Sequence, residues 1–197
     1  MTDTTTTITL DLGPQARVVA RLAAGVRDEQ LADPTPCPDC AVHNMLGHLT
    51  GLAVAFRDAA SKDLGPTTDT PADAAAPDIT PGWRAELPEA LDGLAEAWRD
   101  PAAWTGMTRA GSVDLPGQVA AAVAVDELVI HGWDLARATG QDYTPDPAAL
   151  QAAHEFLRAA GDDRGNGLFG PVVPVPQDAP LLDRAVGLSG RDPGWTR

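Results

Sequence analysis

The chain has 197 residues, 44% of them hydrophobic, and a net charge of −14 at pH 7. That length and apolar content suffice for a single domain with its own core and exclude a chain disordered by composition. The acid excess repels nucleic acid and anionic membranes, and no apolar run reaches the roughly 18 residues that a membrane span needs, so neither is an expected partner.

Met1 to Thr7 is Thr-rich and lacks the basic and apolar regions of a signal peptide, which predicts a cytoplasmic protein. Ile8-Thr9-Leu10 reads as an extended entry. Pro14 suits the first turn of a helix. Val18, Val19, Leu22, Ala23 and Val26 then recur at helical spacing, and the helix should fade at Asp33-Pro34. Pro34 to Cys40 is a rigid, non-helical connection. A second helix is expected from Ala41 to Lys62, with Val42, Met45, Leu46, Leu49, Leu52, Ala53 and Phe56 as its buried stripe. His48 lies at the edge of that stripe, whereas His43 lies on the far side and should meet water.

Asp63 to Gly82 reads as a long loop. A third helix covers Trp83 to Arg99, with Pro88 marking either its start or a kink. Asp100 to Asp114 reads as irregular. Pro116 should open a long central helix that runs to Thr139 and stops at Gly140. Pro145-Asp146-Pro147 begins a shorter helix to Ala160. Residues 161–197 are dense in Gly and Pro and should wrap the bundle, with a brief helix near Ala179 to Leu188. Residues 1–197 thus read as one domain, with a helical bundle over 10–160 and a wrapping segment over 161–197. Aromatic residues are only 5% of the chain, so Ala-rich helices must pack closely through small side chains.

The central helix is apolar around most of its surface, which places it in the middle of a bundle. It nevertheless carries Glu127 and His131, four residues apart and therefore on one face. A buried carboxylate is costly unless it is paired or bound to a metal. His48, Glu127 and His131 together offer two imidazoles and a carboxylate, a set suited to a first-row divalent metal with an open position. The alternative is a structural Glu–His hydrogen bond in the core. Asp134 follows His131 by three residues and either holds that histidine as an outer acceptor or pairs with Arg137. Trp133 points elsewhere and reads as packing, and His154 as a surface residue. Cys37-Pro38-Asp39-Cys40 is a C-x-x-C before a helix, a redox or metal candidate weighed against two ordinary thiols, since no second half of a zinc site exists in the sequence.

Several of these stretches carry a family resemblance. They are Pro34-Thr35-Pro36-Cys37-Pro38, then Val42, Leu46 and His48-Leu49, then Glu127 through Gly140, with the tail Leu168-Phe169-Gly170-Pro171 and Asp178 through Arg184. Together they resemble the actinobacterial metal-binding proteins related to mycothiol-dependent maleylpyruvate isomerase, within the DinB/YfiT-like superfamily. The similarity runs from Leu10 to Pro193 and is nearest to an uncharacterised subfamily. It implies an all-α, DinB-like four-helix bundle with a Gly/Pro-rich C-terminal extension containing short helices. It also implies one divalent metal held by His48, Glu127 and His131, with zinc foremost and nickel or another first-row metal as alternatives. Mycothiol is the implied thiol. The chain departs from its relatives at Cys40, where an aromatic residue is common, and it shows only scattered basic candidates in Arg57, Arg109 and Arg137.

The expected function is that of a metal- and mycothiol-dependent transferase or isomerase acting on a small electrophilic substrate. The alternative is a non-catalytic metal- or ligand-binding module of the same fold. Its expected partners are the small-molecule substrate and a low-molecular-weight thiol, and the charge suits a monomer or a homodimer equally.

Overall fold

A computed structural model describes residues 10–71, 77–161 and 170–197. The extended entry at Ile8-Thr9 lies outside the described residues. Helix α1 (Gly13–Ala24) carries Pro14 in its first turn, where the missing N–H has no intrahelical partner to lose. It ends well before the expected Asp33. Gly25 caps it, and a separate 3-10 turn follows at Asp28–Gln30. Gln30 closes that turn: its Oε1 accepts from the Arg27 N–H, and its Nε2 donates to the Thr139 carbonyl. The apolar spacing around Val26 therefore belongs to a turn folded onto the bundle rather than to a longer helix.

Helix α2 (Val42–Ser61) buries the expected stripe and stops at Lys62, whose φ of 58° is left-handed. Helix α3 (Trp83–Ala97) starts ahead of Pro88, so Pro88 is not its start. The stretch read as irregular contains a 3-10 turn at Pro101–Trp104 and a hairpin of β1 (Met107–Ala110) and β2 (Val113–Pro116). The strands pair antiparallel, from Met107 opposite Pro116 to Ala110 opposite Val113. Gly111 and Ser112, at φ 61° and 65°, make the two-residue turn that such a hairpin requires. Only Thr108 and Ala110 turn inward from β1, too short an alternation to stand out in the sequence. Asp69 and Thr68 tie the loop before α3 to this hairpin, through Arg109 and the Ser112 N–H.

Helix α4 (Gly117–Thr139) follows directly, with Pro116 as its cap residue and Gly140 closing it at φ 70°. Helices α1 and α2 each pack against both α3 and α4, which makes a four-helix bundle with a square cross-section. Ala120, Ala121 and Ala124 let the neighbours approach α4 closely and are fully buried. Helix α5 (Pro147–Ala160) is capped by the Asp146 carboxylate and lies against α4. Helix α6 (Leu181–Leu188) packs on α5. Gln15 joins three elements at once: its Nε2 donates to the Leu128 carbonyl and the Tyr143 hydroxyl, and its Oε1 accepts from the Asp146 N–H. The architecture is the expected all-α DinB-like bundle with a C-terminal extension, plus the small hairpin.

Two glycines of α2 predict opposite outcomes. A Cβ on Gly47 would lie 2.2 Å from the Pro77 carbonyl oxygen, whereas one on Gly51 would meet nothing within 4 Å. Gly51→Ala should stabilise by about 0.5–1 kcal/mol through helix propensity. Gly47→Ala should destabilise by about 1–3 kcal/mol, because backbone must move to admit the methyl. Urea titration of the two variants checks both signs.

Candidate metal centre

α2 runs beside α4, and this packing sets His48 opposite the Glu127–His131 pair. Each of the three offers one donor atom, and these atoms lie within 4.8 Å of one another. Glu127 Oε2 is the hub. It stands 2.9 Å from His131 Nε2 and 3.3 Å from His48 Nε2. The two imidazole rings meet edge to face, 4.8 Å between centroids. Glu127 and His48 keep 28% and 33% of their side-chain surface exposed, while His131 keeps 11%. The group thus has a closed side formed by α4 and an open side toward solvent.

The closed side contains Asp134, which is fully buried. Its Oδ2 accepts from His131 Nδ1 at 2.9 Å and from Arg191 Nη2 at 3.1 Å. With Nδ1 held by Asp134, His131 aims Nε2 at Glu127 and the open side. A carboxylate fixing the far nitrogen of a histidine is the arrangement that orients metal-binding imidazoles. Burial opposes the charge on Glu127, but His131 beside it and the hydrogen bonds from His131 and His48 outweigh it. Its carboxyl is held well below the usual range. Burial likewise opposes protonation of His131, yet the Glu127 carboxylate and the Asp134 hydrogen bond push it up to about 10. Two nitrogens and an oxygen converging from two helices, with one imidazole locked by an outer carboxylate, fit a borderline divalent cation.

Asp134 does not pair with Arg137. Arg137 instead donates to the Trp195 carbonyl and lies over the buried Trp133 ring. His43 and His48 do not differ in exposure as expected, at 32% and 33%. They differ in partner, because His43 binds the exposed Asp78 of the loop before α3. Arg57 and Arg109 are engaged by Asp58, and by Asp69 and Asp114. The basic residue that does reach the site, Arg191, was not singled out in the sequence. It lies after α6 in a Gly/Pro-rich stretch with no periodicity, and only the fold of the tail brings it to Asp134.

Fold and site together define a DinB-type helical bundle with a three-donor group between two helices. The family model described as the mycothiol maleylpyruvate isomerase N-terminal domain matches residues 12–136, and the chain belongs to that family. Similar proteins include two from Mycobacterium tuberculosis, uncharacterized protein Rv0738 of strain ATCC 25618 / H37Rv and MT0763 of strain CDC 1551 / Oshkosh. Each is 27% identical over 176 residues, which span 87% of this chain and 91% of the relative. Among solved structures, a mutant of mycothiol-dependent maleylpyruvate isomerase superposes with a TM-score of 0.57 at 14% identity, over 74% of this chain and 66% of that one. The present chain therefore spans just under two thirds of that protein. A second crystal structure of the isomerase gives 0.50 at 15% identity, over 78% and 70%. At these identities the superpositions establish the shared fold. No described helix is long and apolar enough to cross a membrane.

Proposed function

We propose that the chain is a metal-dependent enzyme that uses a low-molecular-weight thiol, mycothiol, on a small electrophilic substrate, as a transferase or an isomerase. The observation that carries this reading is the convergence of His48, Glu127 and His131 on one open-sided point, in a chain of the mycothiol maleylpyruvate isomerase family. These three would hold the cation, with zinc favoured by the mixed nitrogen and oxygen donors. A divalent cation there would act as a Lewis acid, at which a thiol loses its proton near neutral pH.

The protein's own part follows from its geometry. Asp134 holds His131 in the tautomer that presents Nε2 forward. Glu127 and His48, half-exposed, leave an approach from solvent. The apolar wall of α4 behind them, with Leu128 and Leu135 fully buried, keeps water from the closed side. The same bundle as a non-catalytic binding module has one observation in its favour. A cleft of about 520 Å³ is lined by Val18, Arg21, Leu22, Gly140, Gln141, Asp142 and Thr144, none of which belongs to the three-donor group.

Untagged protein should purify with close to one equivalent of divalent metal. It should accelerate conjugation of mycothiol to a small electrophile such as monobromobimane, and lose that acceleration on chelation. Equal rates with and without metal, or no metal at all, would overturn the enzyme reading.

A further inference from the structure

The loop between the 3-10 turn at Asp28–Gln30 and α2 holds the two cysteines in an arrangement that the proposed metal chemistry does not use. Cys37-Pro38-Asp39-Cys40 is a four-residue turn, closed by the Cys40 N–H donating to the Cys37 carbonyl at 3.3 Å. Pro38 presets its second position, and Asp39 stands at φ 57° in the third. The turn is clamped from outside. Pro34 and Ala41 form an isolated antiparallel bridge, and the Thr35 N–H donates to the Cys40 carbonyl at 3.1 Å. The buried Thr35 hydroxyl donates to that same carbonyl at 2.7 Å and accepts from the Cys37 N–H at 3.2 Å. Both thiols are free and half-buried, three positions apart on the one turn, and the Cys40 thiol donates to the Ala41 carbonyl at 3.7 Å.

We propose that Cys37 and Cys40 form a dithiol exchange site for a low-molecular-weight disulfide, with Cys37 as the attacking thiol and Cys40 as the resolving one. The Cys37 thiolate attacks one sulfur of the small disulfide. A bond forms between Cys37 Sγ and that sulfur, the original S–S bond breaks, and one small thiolate leaves and takes a proton from water. Cys40 then loses its proton and attacks Cys37 Sγ, forming the internal disulfide and expelling the second small thiol. The protein dithiol is oxidised by two electrons, and the small disulfide is reduced to two thiols.

The roles follow from the surroundings. The Cys40 thiol donates to the Ala41 carbonyl at 3.7 Å, which holds its proton, whereas the Cys37 N–H and carbonyl are tied up by Thr35 and its Sγ is left to react. Burial opposes ionisation, but the Cys40 thiol beside it and the Arg191 guanidinium hold the Cys37 thiol below the ordinary thiol range. Cys40 is raised, by the neighbouring Cys37, by burial and by the charge of Asp134. A thiolate paired with a protonated neighbour three residues away is the division of labour that thiol–disulfide exchange needs. Because the thiols are half-buried, the site suits a small disulfide better than a disulfide held in a folded protein.

Glutathione disulfide serves as the probe, with mass spectrometry on the full chain, metal-free and metal-loaded in parallel. The wild type should reach the internal disulfide with release of two glutathiones. Cys40→Ser should stop at a mixed disulfide on Cys37 with release of one. Cys37→Ser should react about tenfold more slowly or worse, as expected of an ordinary thiol at neutral pH. Circular dichroism confirms that each variant is folded. A stable mixed disulfide on the wild type, modification of Cys40 first, equal rates at the two cysteines, or no reaction would each overturn the assignment. The metal-free arm separates this outcome from the fate of the metal centre.

Discussion

Replacing Glu127 by Gln is expected to weaken divalent-metal binding by more than about 100-fold while leaving the helical content intact. The magnitude follows from dividing the ~10–16 kcal/mol of a four-ligand zinc site among its ligands, which gives about 3 kcal/mol for each. The amide keeps the shape of the side chain but removes the negative charge on which both imidazoles converge. His131→Ala should act similarly, and His48→Ala should leave the α4 pair in place while opening the site on the α2 side. Acidity adds a second signature. His131 must surrender the proton that Glu127 and Asp134 hold on it up to about pH 10. Metal uptake between pH 6 and 8 should therefore release one proton from His131, and affinity should rise about tenfold per pH unit from that group alone.

The metal-free protein should behave in the opposite sense. A raised histidine contributes stability in full below its unfolded value of about 6.5, and loses that contribution as pH climbs toward its folded value. A depressed carboxylate contributes above about 4.5 and loses its share as pH falls. The Glu127–His131 pair thus supports the metal-free fold best between those limits, and metal takes over where the pair weakens. Calorimetric titration in buffers of different ionisation enthalpy measures the proton release. A wild-type affinity flat across pH 6–8, or an unaltered Kd in Glu127→Gln, would remove these residues from any metal site.

Much of the bundle was legible because its helices obey a single period. Val42, Met45, Leu49 and Phe56 mark the buried face of α2, and the residues from Ala120 to Ala138 mark a helix surrounded on nearly all sides. The i, i+4 relation of Glu127 and His131 is fixed by helix geometry, so their shared face could be read without coordinates. The meeting with His48 could not, because it depends on how α2 lies against α4. What was missed lacks periodicity. The hairpin is only four residues per strand, and β2 buries none of its residues fully. The premature end of α1 depends on Gln30 reaching Thr139, a contact between residues far apart in the chain. The contrast drawn between His43 and His48 failed because a helical wheel knows nothing of the Asp78 loop that covers His43. Arg191 was invisible for the same kind of reason: nothing within its own segment points to Asp134.

That hidden contact leads to the other large effect. Asp134→Ala is expected to destabilise the metal-free protein by about 3–5 kcal/mol, the loss seen when one member of a buried ion pair is removed. Asp134 is fully buried, and the Arg191 side chain that depends on it is 12% exposed. The substitution leaves that guanidinium without its counter-charge, held only by the Ser189 carbonyl among the described residues, and also frees His131 Nδ1. Arg191→Met should cost less, because it leaves Asp134 still accepting from His131, and methionine can fill the channel left by the guanidinium. Asp134→Ala combined with Arg191→Met should cost less than the two single changes added together, since neither charge is then left buried without its partner. Metal affinity should follow a different order. It should fall about 10–100-fold in both Asp134 variants, which lose the carboxylate orienting His131, and far less in Arg191→Met. Urea titration of wild type, Asp134→Ala, Arg191→Met and the double Asp134→Ala/Arg191→Met yields the coupling energy between Asp134 and Arg191, and metal titration of the same set yields the effect transmitted through His131. A tail that merely rests on the bundle would give a coupling near zero. A coupling of several kcal/mol would instead show that residues after α6 are part of the wall that holds the metal-facing histidine in place.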